Sequence, residues 1–115
     1  MMRIIWGLYD SETQTLEALF EAENLLVGYR EQLLRKWYDD MTVPLIARDY
    51  LPGEEYIKAL DDAHNAERDR LLDLGYERWR NDQVNDAYPR YRTQKYELWN
   101  SVPPNVERLV LHFDT

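Results

Sequence analysis

Both ends of the chain alternate apolar and other side chains with the period of a β-strand. Near the N-terminus, Ile4, Trp6 and Leu8 occupy every second position, so residues 2–9 are predicted to form a strand. Residues 106–113 show the same alternation and are predicted to form a second one. The first and last parts of the chain are therefore expected to meet in one sheet.

The segment that follows the first strand fits two structures. Residues 10–13 are Asp-Ser-Glu-Thr, which is turn chemistry. Leu16, Ala18 and Phe20 then alternate and favour a β-hairpin. The same region also matches a capping box that starts at Ser11, which would begin a helix instead. We favour the hairpin.

The middle of the chain has helical spacing. Residues 21–39 are predicted to form one helix, and a second helix is predicted to begin near Glu54. Continued to Asp82, the second helix would be roughly 43 Å long, so we expect a break or kink at Gly75, or else a helix that projects from the domain. Its apolar stripe consists of Ile57, Leu60, Leu71 and Leu74.

Two segments remain between and after these helices. Residues 40–53 are predicted to form a loop whose apolar side chains pack under the core, namely Val43, Leu45, Ile46 and Leu51. Residues 89–99 fit a strand by alternation. They also fit a helix framed by Pro89 and Asn100, and the pattern does not decide between the two.

Together these elements predict an α+β fold formed by residues 1–115 as a single domain. A small antiparallel sheet is expected from the N-terminal hairpin and one or more C-terminal strands. Two or three helices are expected to pack on it as a single layer on one face. The 115 residues, 44% of them hydrophobic, are enough for one core.

Charge and composition narrow the function classes. The net charge is −8 and the chain has no cysteine. This charge disfavours nucleic acid and anionic membranes as partners and allows a partner protein with a basic surface. The absence of cysteine excludes thiolate metal sites and suits a cytoplasmic protein. No stretch is long enough for a transmembrane helix, so we expect no membrane association.

The motifs of common enzymes are missing from the sequence. Neither Ser11 nor Ser101 lies in a Gly-x-Ser-x-Gly elbow, and the glycines form no phosphate-binding loop. We therefore expect no catalytic residues and no cofactor. One alternative is a small metal-dependent enzyme centred on His64, because Asp61, His64 and Glu67 follow a three-residue spacing on a helix. There is no second copy of this spacing, and we expect no metal.

Residues 76–100 differ from the rest of the chain. They hold five basic and four acidic residues and six of the fifteen aromatic residues. Arginine, tryptophan and tyrosine are the residue types enriched at binding hot spots. The candidate partner-binding residues are Arg78, Trp79, Arg80, Tyr88, Arg90, Tyr91, Arg92, Tyr96 and Trp99.

The sequence thus predicts a non-enzymatic, acidic protein-interaction module. Its small size, acidity and aromatic content resemble, in type only, accessory proteins of phages and mobile elements, including inhibitors that bind and block a host protein. An alternative is a single-stranded nucleic-acid contact protein that uses the arginines and aromatics of residues 76–99. A homodimer through residues 54–74 is a further hypothesis.

Overall fold

The elements of the chain are seen in a computed structural model that describes residues 2–101 and 106–113, with residues 100–101 and 106–113 described as backbone. In chain order they are β1 Met2–Asp10, β2 Thr15–Phe20, α1 Glu23–Met41, α2 Glu55–Leu74, α3 Tyr76–Val84, β3 Tyr91–Ser101 and β4 Val106–Phe113. The predicted α+β class, with an antiparallel sheet and three helices in the described chain, is confirmed.

The four strands form one antiparallel sheet in the order β2-β1-β3-β4. The hairpin favoured for residues 11–20 is confirmed, and residues 91–99 form a strand rather than a helix. Strand β1 is central: Trp6 pairs with Phe20 on one side and with Lys95 on the other. The N-terminal strand is therefore held between a near neighbour in sequence and a segment about 90 residues away.

The chain divides into two compact units. One combines the chain up to Leu33 with the chain from Gln83 onward, and the other is the continuous segment Leu34–Asp82. The first unit contains the sheet and the start of α1. The second contains the end of α1, the following loop, α2 and most of α3.

In the first unit, α1 contributes to the core that lies on one face of the sheet. Leu8 of β1 and Leu26 of α1 are fully buried. The rings of Phe20 and Tyr29 lie 5.6 Å apart and join β2 to the helix. These residues share a face because Phe20 pairs with Trp6, which is two residues from Leu8.

The opposite face of the sheet has a close contact at Gly7. A Cβ added there would lie 2.7 Å from Cε2 of Tyr96. Gly7 pairs with Gln94, so Tyr96 is its diagonal neighbour on the next strand and its ring covers the space that a side chain would take. Glycine is required at this position because of this close packing. Its backbone is extended, so the backbone conformation does not itself require glycine.

In the second unit, an aromatic cluster holds the helices together. The Tyr38 ring lies 5.3 Å from that of Tyr76 and 5.4 Å from that of Trp79. The hydroxyl of Tyr38 donates a hydrogen bond of 3.0 Å to the carbonyl oxygen of Leu71. Helix α2 ends at Leu74. The next residue, Gly75, has a φ of 86°, which suits glycine, and the predicted break there is confirmed.

One packing expectation is wrong. Val43, Leu45, Ile46 and Leu51, expected under the core, are all exposed. The apolar stripe of α2 is also divided, because Leu71 is buried whereas Ile57 and Leu60 are exposed. Among the residues described, no helix combines the length and apolarity needed to cross a membrane.

Candidate functional site

The aromatic–arginine segment predicted as the partner-binding surface is partly buried. Trp79 is only 3% exposed, and its indole lies edge-on to Trp37 at 5.1 Å. Tyr91 is buried as well, and burial raises the pKa of its hydroxyl. Alternation and composition cannot distinguish a buried aromatic from an exposed one, and two of the predicted partner-binding residues lie in the core.

Two further residues of this segment stabilise the sheet. Arg90 donates from Nε and Nη2 to the buried carboxylate of Asp10, both at 3.2 Å, and its Nη1 lies 3.2 Å from Glu12. Tyr96 covers Gly7, and its hydroxyl lies 2.6 Å from Gln94 Oε1. Both side chains therefore have structural partners within the first unit.

The remaining predicted residues lie on different elements of the chain. Tyr88, 90% exposed, lies in the turn before β3, and Trp99, also exposed, lies near the end of β3. Arg92 is half-buried on β3, whereas Arg78 and Arg80 lie on α3 in the second unit. The predicted set is thus spread over two units and three elements.

The candidate metal ligands on α2, which are Asp61, His64 and Glu67, each contact other groups of the chain. The carboxylate of Asp61 binds Arg48 and Tyr50, and that of Glu67 binds Arg70. His64 Nε2 lies 3.1 Å from the carbonyl oxygen of Val43. Within the part of the chain that is described, no group of three His, Asp or Glu side chains is placed to hold a metal ion.

A different feature stands out in the second unit, namely apolar side chains that are displayed rather than buried. Ile46 is 92% exposed and Leu51 is 71% exposed, and both belong to the loop between α1 and α2. The first half of α2 also carries exposed apolar side chains. We define the loop surface as Leu45, Ile46, Leu51, Tyr56, Ile57 and Leu60, all of them exposed.

The loop is fixed to α2 by polar contacts of Asp61. One oxygen of its carboxylate, Oδ2, accepts hydrogen bonds from Arg48 Nε at 3.0 Å, Arg48 Nη2 at 2.8 Å and the Tyr50 hydroxyl at 2.6 Å. His64, one turn further along α2, reaches the start of the loop at Val43. Two consecutive turns of α2 therefore hold both halves of the loop.

The electrostatics of this anchor agree with its geometry. The hydrogen bonds from Tyr50 and Arg48 lower the pKa of Asp61 below its ordinary value. The same contacts with Asp61 raise the pKa of Arg48 and of the Tyr50 hydroxyl. Each shift favours the state in which Asp61 is charged and both donors keep their protons, which is the state of the anchor near neutral pH.

The loop surface has an acidic rim. Arg48 is paired with Asp61, and Lys58 with Asp62 at 2.7 Å. Three carboxylates of the same segment remain without a basic partner among the described residues, namely Asp49, Glu54 and Glu55. Glu54 instead accepts the backbone N–H of Leu51. The exposed apolar residues are thus accompanied by a surplus of negative charge.

The sequence analysis missed this site although the sequence contained a signal for it. Three large aliphatic residues, Leu45, Ile46 and Leu51, lie in a segment bounded by Pro44 and Pro52, which has neither helical nor strand periodicity. Such residues can either pack into the core or be exposed to solvent. Which of the two occurs is decided by a tertiary contact between Arg48 and Asp61, which lie 13 residues apart in the sequence.

Comparisons with protein-family models, with curated proteins and with solved structures find no match to the chain.

Proposed function

We propose that the chain is a non-enzymatic protein-interaction module that binds its partner through the loop surface. The observation that carries the proposal is a set of exposed apolar side chains on a loop that Asp61 and His64 hold in place. Exposed apolar clusters with polar rims are typical of interaction sites. A loop that is fixed before binding loses less conformational entropy when a partner arrives.

The charge of the rim supports a partner protein with a basic surface. Asp49, Glu54 and Glu55 give the loop surface three negative charges that the described chain does not offset. A protein with an apolar contact face and a basic rim complements this arrangement. A second copy of the chain would bring like charges together, so we propose a different protein as partner rather than the homodimer through residues 54–74.

The mode of action that we propose is occupancy of a basic surface on a cytoplasmic protein. A small acidic module that covers such a surface inhibits the partner by exclusion, as accessory and inhibitor proteins of phages and mobile elements do. This proposal rests on the acidic surplus of the whole chain and of the rim. In a reconstituted complex, the partner's activity should fall in proportion to the fraction of partner molecules that are bound by the chain.

The test compares two variants of the loop surface with a matched control. Ile46→Glu and Leu51→Glu place a charge where a partner's apolar face would contact the loop. Leu72→Glu makes the same change at an exposed residue of α2 outside the loop surface. Proteins captured from a cell extract by the wild-type chain are purified, and their affinity for each variant is measured by calorimetry at low and high salt.

We expect one-to-one binding that is weakened at least about tenfold by either loop variant, unchanged by Leu72→Glu, and weaker at high salt. Equal affinity for the wild type and both loop variants would overturn the proposal. Capture that disappears after nuclease treatment would support the nucleic-acid alternative instead. A wild-type dimer that Ile46→Glu dissociates would show that the loop surface binds a second copy.

A further inference from the structure

The loop surface contains a groove between the loop and α2. It is lined from α2 by Asp61 and from the loop by Pro44, Leu45, Ile46 and Arg48. Its volume is about 460 Å³, which falls within the range of roughly 300–1,000 Å³ that is typical of ligand sites in proteins. The groove can therefore receive side chains of a partner, and its loop wall is mainly apolar.

The carboxylate of Asp61 has one oxygen that the described chain leaves open. Its Oδ2 accepts all three hydrogen bonds from Arg48 and Tyr50. Its Oδ1 accepts no hydrogen bond from a described residue and is accessible to solvent, and the side chain as a whole is 19% exposed. A basic group of a partner can therefore bind Oδ1 without displacing the anchor of the loop.

The segment that surrounds the groove has no strand edge. Residues 34–82, all of which the structure describes, contain helices and a loop but no strand. An extended partner segment that adds to a sheet needs such an edge for its backbone hydrogen bonds. A segment that covers apolar surface without one must satisfy its own N–H and C=O groups, and an α-helix does so internally. The exposed side chains of Ile57 and Leu60, one turn apart on α2, give such a helix a ridge to pack against.

We propose that the loop surface binds a basic amphipathic helix of the partner protein. This inference rests on the proposed function, because it names the element that occupies the same surface. Apolar side chains at positions i, i+3 or i+4, and i+7 of that helix contact the groove together with Ile57 and Leu60. Lysine or arginine residues beside them face Asp49, Glu55 and the open oxygen of Asp61, whereas an acidic helix would be repelled.

Three synthetic peptides of about 18 residues, long enough to form a helix, are the probes. The first is a basic helical peptide with leucine at i, i+3, i+4 and i+7 and lysine and alanine elsewhere. The second has the same composition, but its leucines occupy alternate positions, which favours an extended strand. The third is the helical peptide with glutamate in place of lysine.

Each peptide is labelled, and its binding to the full chain is followed by fluorescence anisotropy. The variants of the chain are Ile46→Glu at the groove and Asp49→Asn at the rim. Their matched controls are Leu72→Glu and Asp73→Asn, which make the same changes at exposed residues of α2 outside the loop surface. Circular dichroism checks that each variant is folded.

We expect the basic helical peptide to bind saturably, with an affinity that Ile46→Glu lowers at least about tenfold. Asp49→Asn should lower it several-fold, and both controls should leave it unchanged. The alternating and the glutamate peptides should bind at least about tenfold more weakly. Absence of saturable binding by the basic helical peptide would overturn the proposal. Equal binding of either other peptide, or wild-type affinity in Ile46→Glu, would do the same.

The captured partner separates this inference from the proposed function. If that partner loses affinity for Ile46→Glu while the basic helical peptide fails to bind, the helix is refuted and the loop surface remains the interaction site. If the partner binds both loop variants as tightly as the wild type, the proposed function fails and this inference fails with it.

Discussion

Replacing Asp10 with alanine should destabilise the first unit by about 2–4 kcal/mol. The carboxylate of Asp10 accepts two hydrogen bonds from Arg90, both at 3.2 Å, and two from the backbone N–H groups of Glu12 and Thr13, at 3.0 and 3.4 Å. It joins the β1–β2 turn to the start of β3. Its removal leaves four donors without their acceptor.

The magnitude follows from burial. Removing one partner of a fully buried ion pair costs about 3–5 kcal/mol. The Asp10 side chain is 4% exposed, but that of Arg90 is 21% exposed and keeps Glu12 as a second partner at 3.2 Å, which reduces the cost. Asp10→Asn retains one oxygen for the turn N–H groups, but it loses the charge and puts an amide N–H2 donor in place of the oxygen that accepts from Arg90 Nη2, so we expect about 1–2 kcal/mol.

The same contact gives the stability a defined pH dependence. Burial alone would raise the pKa of Asp10, but the hydrogen bonds from Arg90 and from the turn, with the charge of Arg90, lower it below its ordinary value of 3.8. Because the folded pKa lies below the unfolded one, the stabilisation is complete above pH 3.8 and is lost as the pH falls through the folded pKa. The difference between wild type and Asp10→Asn should shrink over that range.

Urea unfolding followed by circular dichroism measures these free energies. Hydrogen exchange of the β1 and β3 amides locates the loss in the sheet. The control is Asp62→Asn, which removes an exposed carboxylate that pairs with Lys58 and should change stability by less than about 0.5 kcal/mol. If Asp10→Ala costs no more than this control, the buried pair does not stabilise the sheet and the reasoning is wrong.

Three further substitutions test packing and helix propensity, each by urea unfolding. Gly7→Ala should cost about 1–3 kcal/mol because the new Cβ would lie 2.7 Å from the Tyr96 ring; an unchanged midpoint would contradict this contact. Gly28→Ala is its matched opposite, with no atom within 4 Å of the new Cβ, and should stabilise α1 by about 0.5–1 kcal/mol; destabilisation would show an unseen clash. Tyr38→Phe removes the donor to the buried Leu71 carbonyl and should cost about 1–2 kcal/mol, whereas a neutral effect would mean that water replaces the hydroxyl.

Local sequence signals were sufficient for the secondary structure outside residues 89–99. Three of these signals depend only on neighbouring residues. They are the alternation in β1 and β4, the turn residues before β2 and the helix break at Gly75. The ambiguity of residues 89–99 could not be settled locally. It is resolved by pairing with β1, in which Tyr91 aligns with Asp10, and the benefit of that pairing is not visible within the segment itself.

The candidate site depended on tertiary contacts, and there the sequence was a poorer guide. Trp79 and Tyr88 are both aromatic residues in the same segment, yet one is buried and the other is exposed. The loop residues showed the reverse error, since apolar composition suggested burial for Ile46. Hydrophobicity predicts burial on average, but a polar anchor such as the Asp61 contacts can hold an apolar side chain in solvent.

The arrangement of the two units has a consequence for how the chain folds. The second unit is one continuous segment, whereas the first is assembled from two segments, and its contact between Asp10 and Arg90 joins residues 80 positions apart. Closing so long a loop has a high entropic cost unless the intervening chain is already compact. Residues 34–82 are therefore expected to act as a folding nucleus that brings β1 and β3 together, and the sheet should gain hydrogen-exchange protection only after the helices have it.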